Sequence, residues 1–339
     1  MIDSNLFSDN EIKCEVASIV EMLLLNVVEK IETEDKVIRE KTGEKQDYSF
    51  DYNNFNAENR NGTLFICIEN QLGNCLRVIT SCILIAEYYN MNVCIDIDRH
   101  SLHHNEKIVI EKLFPLLCKR NIDCKYISLK YDHYVKYEKM HGTNYNLICE
   151  GRFFKPPNIH NFGITYNIYS ILPGNMNIIS YVKRKLKLYQ SISYPEFLLK
   201  DVSNFLSNHK LSEFIGFHIR YTDNLKDKLK KKWNTPIHVF FQKLESYTNK
   251  NILICSDNTK VLQVINNKKQ KKNNIIFANA CSMPEYQGLY EMLLLSKTCL
   301  IIGSTSSSFS YESAFFQGTD IELFDNKKWI LYNISKLKP

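Results

Sequence analysis

The stretch Ile215-Gly216-Phe217-His218-Ile219-Arg220-Tyr221-Thr222-Asp223 alternates apolar residues with His218 and Arg220. That period of two is the signature of a β-strand, with one apolar face and one face carrying two nitrogen-rich groups. Burying such groups at a strand end costs free energy unless an anion or a hydrogen-bond acceptor answers them. Arg220 brings a planar fork of donors that suits diphosphate oxygens, and His218 can donate a hydrogen bond beside it. A plainer account, an exposed sheet face on which Arg220 pairs with Asp223, stays open at this point.

Working outward, residues 214–220 begin a series of short apolar runs at 251–255, 275–278, 299–302 and 320–324. Upstream, runs at 63–68, 92–97 and 125–129 alternate with amphipathic stretches at 74–89 and 105–119, which the helical spacing predicts as helices. Strand and helix in alternation predict an α/β protein with mostly parallel sheets and crossover helices. The periodicity breaks around Leu172-Pro173-Gly174-Asn175, and helices are predicted near 178–189 and 195–208. The reading is a helical extension and linker over 1–62, a Rossmann-like domain over 63–174 and a second one over 175–339. Two such sheets facing each other would place a cleft at the carboxyl ends of their strands, where ligands collect.

Composition bounds the rest. The 339 residues are 44% hydrophobic and 24% charged, which excludes a disordered tail or a fibre. Net charge is +6, and the visible lysine clusters, 226–232 and 268–272, lie in connecting stretches, so a nucleic-acid binder is disfavoured. The 11 cysteines include no C-x-x-C pair and sit largely in apolar runs, as small buried hydrophobes do in a reducing compartment. No signal-peptide pattern opens the sequence, and Glu21, Glu87 and Lys297 interrupt the longest apolar stretches. These features predict a cytoplasmic protein without a membrane span.

Two further segments suggest chemistry. After the apolar run ending at Gly303, six of the seven residues Ser304-Thr305-Ser306-Ser307-Ser308-Phe309-Ser310 carry hydroxyls, and a helix closing at Gly318 follows. A strand, a turn of small residues and a helix start present backbone N–H groups and a positive dipole end to a phosphate. Capping alone needs one hydroxyl. Asp257 ends the run 251–255 and could either accept from a nucleobase or cap the next helix. Glu291 lies off the apolar stripe Leu289, Met292, Leu293 and, by itself, reads as a surface residue. The dinucleotide fingerprint and the P-loop pattern are both absent, which argues against a dehydrogenase or a P-loop NTPase. Asp96 and Asp98 could hold a divalent ion, but strand-end acids commonly cap or solvate, and the histidines of 100–104 have no metal-site spacing; no metal is expected.

Taken in order, Gly73-Asn74-x-Leu76-Arg77, His218-x-Arg220-x-x-Asp223, Ser256-Asp257, Glu291 and Ser306-Ser307 with Phe309-Ser310 resemble the motifs of the fucosyltransferase superfamily with the GT-B fold. That group contains α-1,6- and α-1,2-fucosyltransferases and protein O-fucosyltransferases. The chain departs from the α-1,6 pattern in having Arg220-Tyr221 for two arginines, Asp257-Asn258 for paired aspartates, and Glu291 for an aspartate. The resemblance implies a GT-B-like fold of two facing Rossmann-type domains. It implies an inverting transfer of fucose from GDP-fucose to a hydroxyl of a glycan or protein acceptor, with no cofactor beyond the donor. Arg220, with His218 beside it, would hold the diphosphate together with Ser306 and Ser307. Asp257 and Glu291 would face the guanosine, and Asn74, Arg77 and Asp223 would complete donor binding. The base that takes the acceptor's proton is not assigned by the motifs; Glu69 and Asp98 are candidates. The competing expectations are a transferase for another nucleotide sugar and a non-catalytic glycan-binding protein on the same fold.

Overall fold

A computed structural model of the chain describes residues 63–67, 71–88, 92–96, 104–119, 146–149, 178–209, 213–220, 235–267, 273–304, 307–324 and 328–337. The chain divides into two compact units, 1–192 with 339, and 193–338.

In the first unit, strands β1 (Thr63–Cys67), β2 (Asn92–Asp96), β3 (Cys118–Lys119) and β4 (Asn146–Cys149) form a parallel sheet in the order β3-β2-β1-β4. Helix α1 (Leu72–Tyr88) buries Leu76, Ile79, Cys82 and Ile83, and helix α2 (His104–Leu113) buries Val109 and Ile110. The helix predicted over 105–119 stops at Leu113 because Pro115 lacks an N–H and restricts the residue before it. The chain then turns into β3, which pairs with β2. Helix α3 (Ile178–Ser191) packs on α1, and Arg184 pairs with Glu87 at 3.4 Å. That packing carries α3 into the first unit, past the junction at 174/175 suggested by the break in periodicity. The strand expected over 125–129 and the helical stretch in 1–62 lie outside the described residues.

The second unit opens with helix α4 (Glu196–His209) and holds a six-stranded sheet. Its strands are β5 (Ile215–Ile219), β6 (Asn251–Ser256), β7 (Asn274–Phe277), β8 (Leu300–Gly303), β9 (Asp320–Phe324) and β10 (Trp329–Tyr332), in the order β10-β9-β8-β5-β6-β7. Only β10 runs antiparallel to its neighbour. Helices α5 (Ile237–Ser246), α6 (Thr259–Asn267), α7 (Gln287–Ser296) and α8 (Ser308–Gln317) connect these strands. α8 ends on Gly318 at φ 66° and ψ 45°, the left-handed C-terminal stop that favours glycine.

Every residue of β5 is buried, so both faces of the strand are covered, as expected of a parallel sheet with helices on each side. Ile215, Phe217 and Ile219 share a core with Phe240 and Leu244 of α5 and with Val261 and Ile265 of α6. The opposite face begins with Gly216, where a Cβ would lie 2.8 Å from Leu295 Cδ2 and 2.9 Å from Thr298 Cγ2. Absence of a side chain there lets the end of α7 close onto the strand. Lys243 of α5 reaches Glu322 of β9 at 2.7 Å and lies 5.2 Å from the Trp329 ring centroid, tying helix to sheet. Among the described residues, no helix is long and apolar enough to cross a membrane.

The close approach at Gly216 generates a prediction. Gly216→Val forces α7 off the sheet and should lower stability by about 1–3 kcal/mol, read as a lower urea midpoint with unchanged slope.

Candidate functional site

The second sheet reverses its winding at β5. From this strand the chain goes outward to β6 and β7 on one side, then returns to β8 and β9 on the other. In open α/β sheets the crevice at the carboxyl ends of the two strands flanking such a reversal is the preferred ligand site. Here those ends are Ile219-Arg220 and Gly303-Ser304, paired in register through His218 and Gly303.

Hydroxyls hold this apex together. Arg220 N–H donates to Ser304 Oγ at 2.9 Å, and Ser304 Oγ donates to the His218 carbonyl at 3.2 Å. On the other side, Ser256 Oγ donates to the Ile219 carbonyl at 2.7 Å. The backbone leading into Arg220 is thus fixed from β8 and from β6, and the half-buried guanidinium starts from a rigid base.

His218 points to the covered face. Its side chain is buried under α8, where it stacks on Phe309 with ring centroids 4.5 Å apart and an interplanar angle of 18°. Nδ1 shares a 2.7 Å hydrogen bond with Ser310 Oγ and lies 3.4 Å from Ser307 Oγ. Burial first, then the positive charge of Arg220, pushes its pKa down to about 3, so the ring is neutral at physiological pH. The exposed sheet face considered from sequence is therefore absent: α8 covers it. Ser307 stands at the N-cap of α8, yet its side chain caps no N–H of its own helix. Gly303 permits this fit, since a Cβ there would lie 2.7 Å from Ser310 Cβ and 2.6 Å from Leu323 Cδ2.

A second polar cluster lies past the end of β6. Asn258 caps α6, its Oδ1 accepting from the N–H groups of Lys260 at 2.9 Å and Val261 at 3.3 Å. Capping, one of the two roles open to Asp257, is thus carried out by its neighbour, and Asp257 is exposed at the strand end. Glu291 is not a surface residue: α7 is buried nearly all round, so a position off its apolar stripe still faces protein. Gln287 Nε2 donates to Glu291 Oε1 at 2.8 Å, and Gln287 also binds the loop before it by accepting from Cys281 N–H at 2.7 Å. Burial, with a further contribution from the negative Asp257, raises the Glu291 pKa to about 7 against the hydrogen bond from Gln287.

The structure therefore gathers His218, Arg220 and Ser307 at one apex and sets Asp257 and Glu291 together at the next strand end. Asn74 and Arg77 lie in the first turns of α1 in the other unit, Asn74 half-buried and Arg77 buried. Asp223, Ser306, Glu69 and Asp98 lie outside the described residues. Among the described residues no three His, Cys, Asp or Glu side chains come together as a metal site would require. Sequence reasoning passed over the distinct parts played by Ser304 and Ser310. Their signal was the hydroxyl run itself, which does not say which hydroxyl meets which strand.

No protein-family model matches the chain, and no curated protein matches it. Solved structures do. The fucosyltransferase NodZ from Bradyrhizobium is 13% identical with a TM-score of 0.48, over 82% of this chain and 100% of that one. A variant of Arabidopsis thaliana FUT1 in complex with GDP is 13% identical with a TM-score of 0.47, over 86% of this chain and 74% of that one. POFUT1 in complex with GDP is 10% identical with a TM-score of 0.42, over 78% and 96%. The chemistry of the apex is read from its own residues.

Glu291 makes the site pH-sensitive in a defined direction. A carboxyl whose folded pKa is about 7 against an ordinary 4.5 contributes stability below 4.5 that is lost as pH rises through 7. Glu291→Gln keeps the acceptor for Gln287 and cannot ionise. It should raise stability at about pH 8 by roughly 1–3 kcal/mol, seen as a higher melting temperature, and lose that advantage towards about pH 4; differential scanning calorimetry at the two pH values checks this.

Proposed function

We propose that the chain is an inverting glycosyltransferase with a GT-B-like fold that moves fucose from GDP-fucose to a hydroxyl of a glycan or protein acceptor. The observation that carries this reading is the apex where Arg220, anchored through Ser304 and Ser256, meets the start of α8 at the reversal point of the sheet. A departing diphosphate needs preorganised positive charge and N–H donors, and this is where the second unit offers both.

In the reaction the acceptor oxygen attacks the anomeric carbon while the bond from that carbon to the diphosphate breaks. The sugar passes through a cation-like state and negative charge grows on the leaving phosphate. Arg220 takes that charge, helped by Ser306 and the first-turn N–H groups of α8, while the Ser307 hydroxyl is turned to His218 behind them; one such donor is worth about 3 kcal/mol. Glu291 and Asp257 suit a base edge rich in N–H groups, as guanine has, because a carboxylate accepts two such bonds. Asn74, Arg77 and Asp223 are assigned to the donor, and the acceptor's proton goes to Glu69 or Asp98. The motif resemblance supports the roles given to Arg220, Ser306, Asp257, Glu291, Asn74, Arg77 and Asp223, and leaves the base open.

Arg220→Ala should leave the ligand-free melting temperature within a few degrees of the parent and abolish both the thermal stabilisation by GDP and transfer from GDP-fucose. A nucleotide that binds only the folded chain raises its melting temperature. Stabilisation by GDP over UDP and ADP supports the donor assignment. Stabilisation by a different nucleotide overturns it in favour of another sugar donor, and GDP binding without turnover on any acceptor points to a glycan-binding role. Retained turnover in Arg220→Ala removes the arginine from the mechanism.

A further inference from the structure

Four observations at the apex concern His218 and the serines it meets. His218 is neutral and stacked under Phe309, so it cannot serve as a charge on a ligand. Its Nδ1 is shared between Ser310 at 2.7 Å and Ser307 at 3.4 Å, both in or before the first turn of α8. Ser307 stands at the N-cap in extended geometry, φ −86° and ψ 106°, where a serine ordinarily bonds the N–H two or three residues on, and it makes no such bond. The His218 carbonyl accepts from Ser304, the serine that also receives Arg220 N–H.

We infer that His218 is a positioning residue: it draws the Ser307 and Ser310 hydroxyls onto its own ring nitrogen, which keeps the first-turn N–H groups of α8 open for an anionic ligand and fixes α8 against the strand that carries Arg220. The assignment rests on the proposed reading that this apex holds a diphosphate. An ordinary N-cap hydroxyl would compete with the ligand for those N–H groups. Here a neutral imidazole diverts it, and neutrality matters because a protonated ring would put a second cation beside Arg220 in a dry site.

The test uses the full-length chain, with GDP and guanosine as probes. Ser310→Ala removes one hydroxyl, and His218→Phe keeps a ring on Phe309 while deleting the nitrogen. Both should weaken GDP by about tenfold, the size of one lost buried hydrogen bond, while guanosine affinity, which does not read the phosphate end, changes by less than about twofold. His218→Asn, which can return a polar atom near the Nδ1 position, should recover most of the GDP affinity. Unchanged GDP affinity in both variants overturns the inference, and so does an equal loss for GDP and guanosine, which would mark a general structural role. A parent chain that binds no GDP overturns the diphosphate reading and this inference with it, whereas a parent that binds GDP alongside variants that bind it equally well overturns this inference alone.

Discussion

Between the second-unit sheet and helix α8, His218 Nδ1 and Ser310 Oγ meet at 2.7 Å across a sequence separation of 92 residues. Much of the local geometry serves that meeting. Gly303 must lack a side chain for Ser310 to come so close, and Gly216 must lack one for α7 to close on the same face. A buried imidazole is tolerable because it is neutral and its nitrogen has partners; an unsatisfied polar group there would cost about 1–3 kcal/mol. Once the ring is seated, the helix start, the β8 turn and the backbone of Arg220 have one mutual arrangement.

The two sides of β5 divide the work of the domain. One side is hydrocarbon against hydrocarbon: Phe217 is fully buried and lies edge-on to Phe240 with centroids 6.5 Å apart. The other side is small residues and polar atoms in tight register. Hydrophobic burial supplies the driving force on the first side, and hydrogen-bond geometry supplies definition on the second. Pairing them in one strand places the apex at the end of a strand buried on both faces.

Much of this was legible in the sequence. Strands β5 to β9 begin and end within a residue or two of the apolar runs, because central parallel strands are continuous and apolar. Gly318 marked the end of α8, and the hydroxyl run with His218 and Arg220 marked the apex. Glu291 was misread because a helix stripe locates the most apolar direction and says nothing of what covers the other sides. Pro115 stopped a helix that periodicity carried onward. The strands 146–149 and 329–332 lie outside the apolar runs that read as strands. The role of Ser310 was hidden for a different reason: a hydrogen bond between residues so far apart in the chain belongs to the register of strand and helix and has no local trace.

Lys243 points to a broader consequence. Held by Glu322 and flanked by the rings of Trp329 and Tyr247, it fastens the side of the sheet that faces away from the apex. Hydrocarbon packing on that side accepts volume-conserving exchanges, whereas the glycine-and-serine side accepts almost none. Over evolutionary time the two surfaces of a single strand should therefore diverge at different speeds, with a freely drifting back and a nearly frozen front.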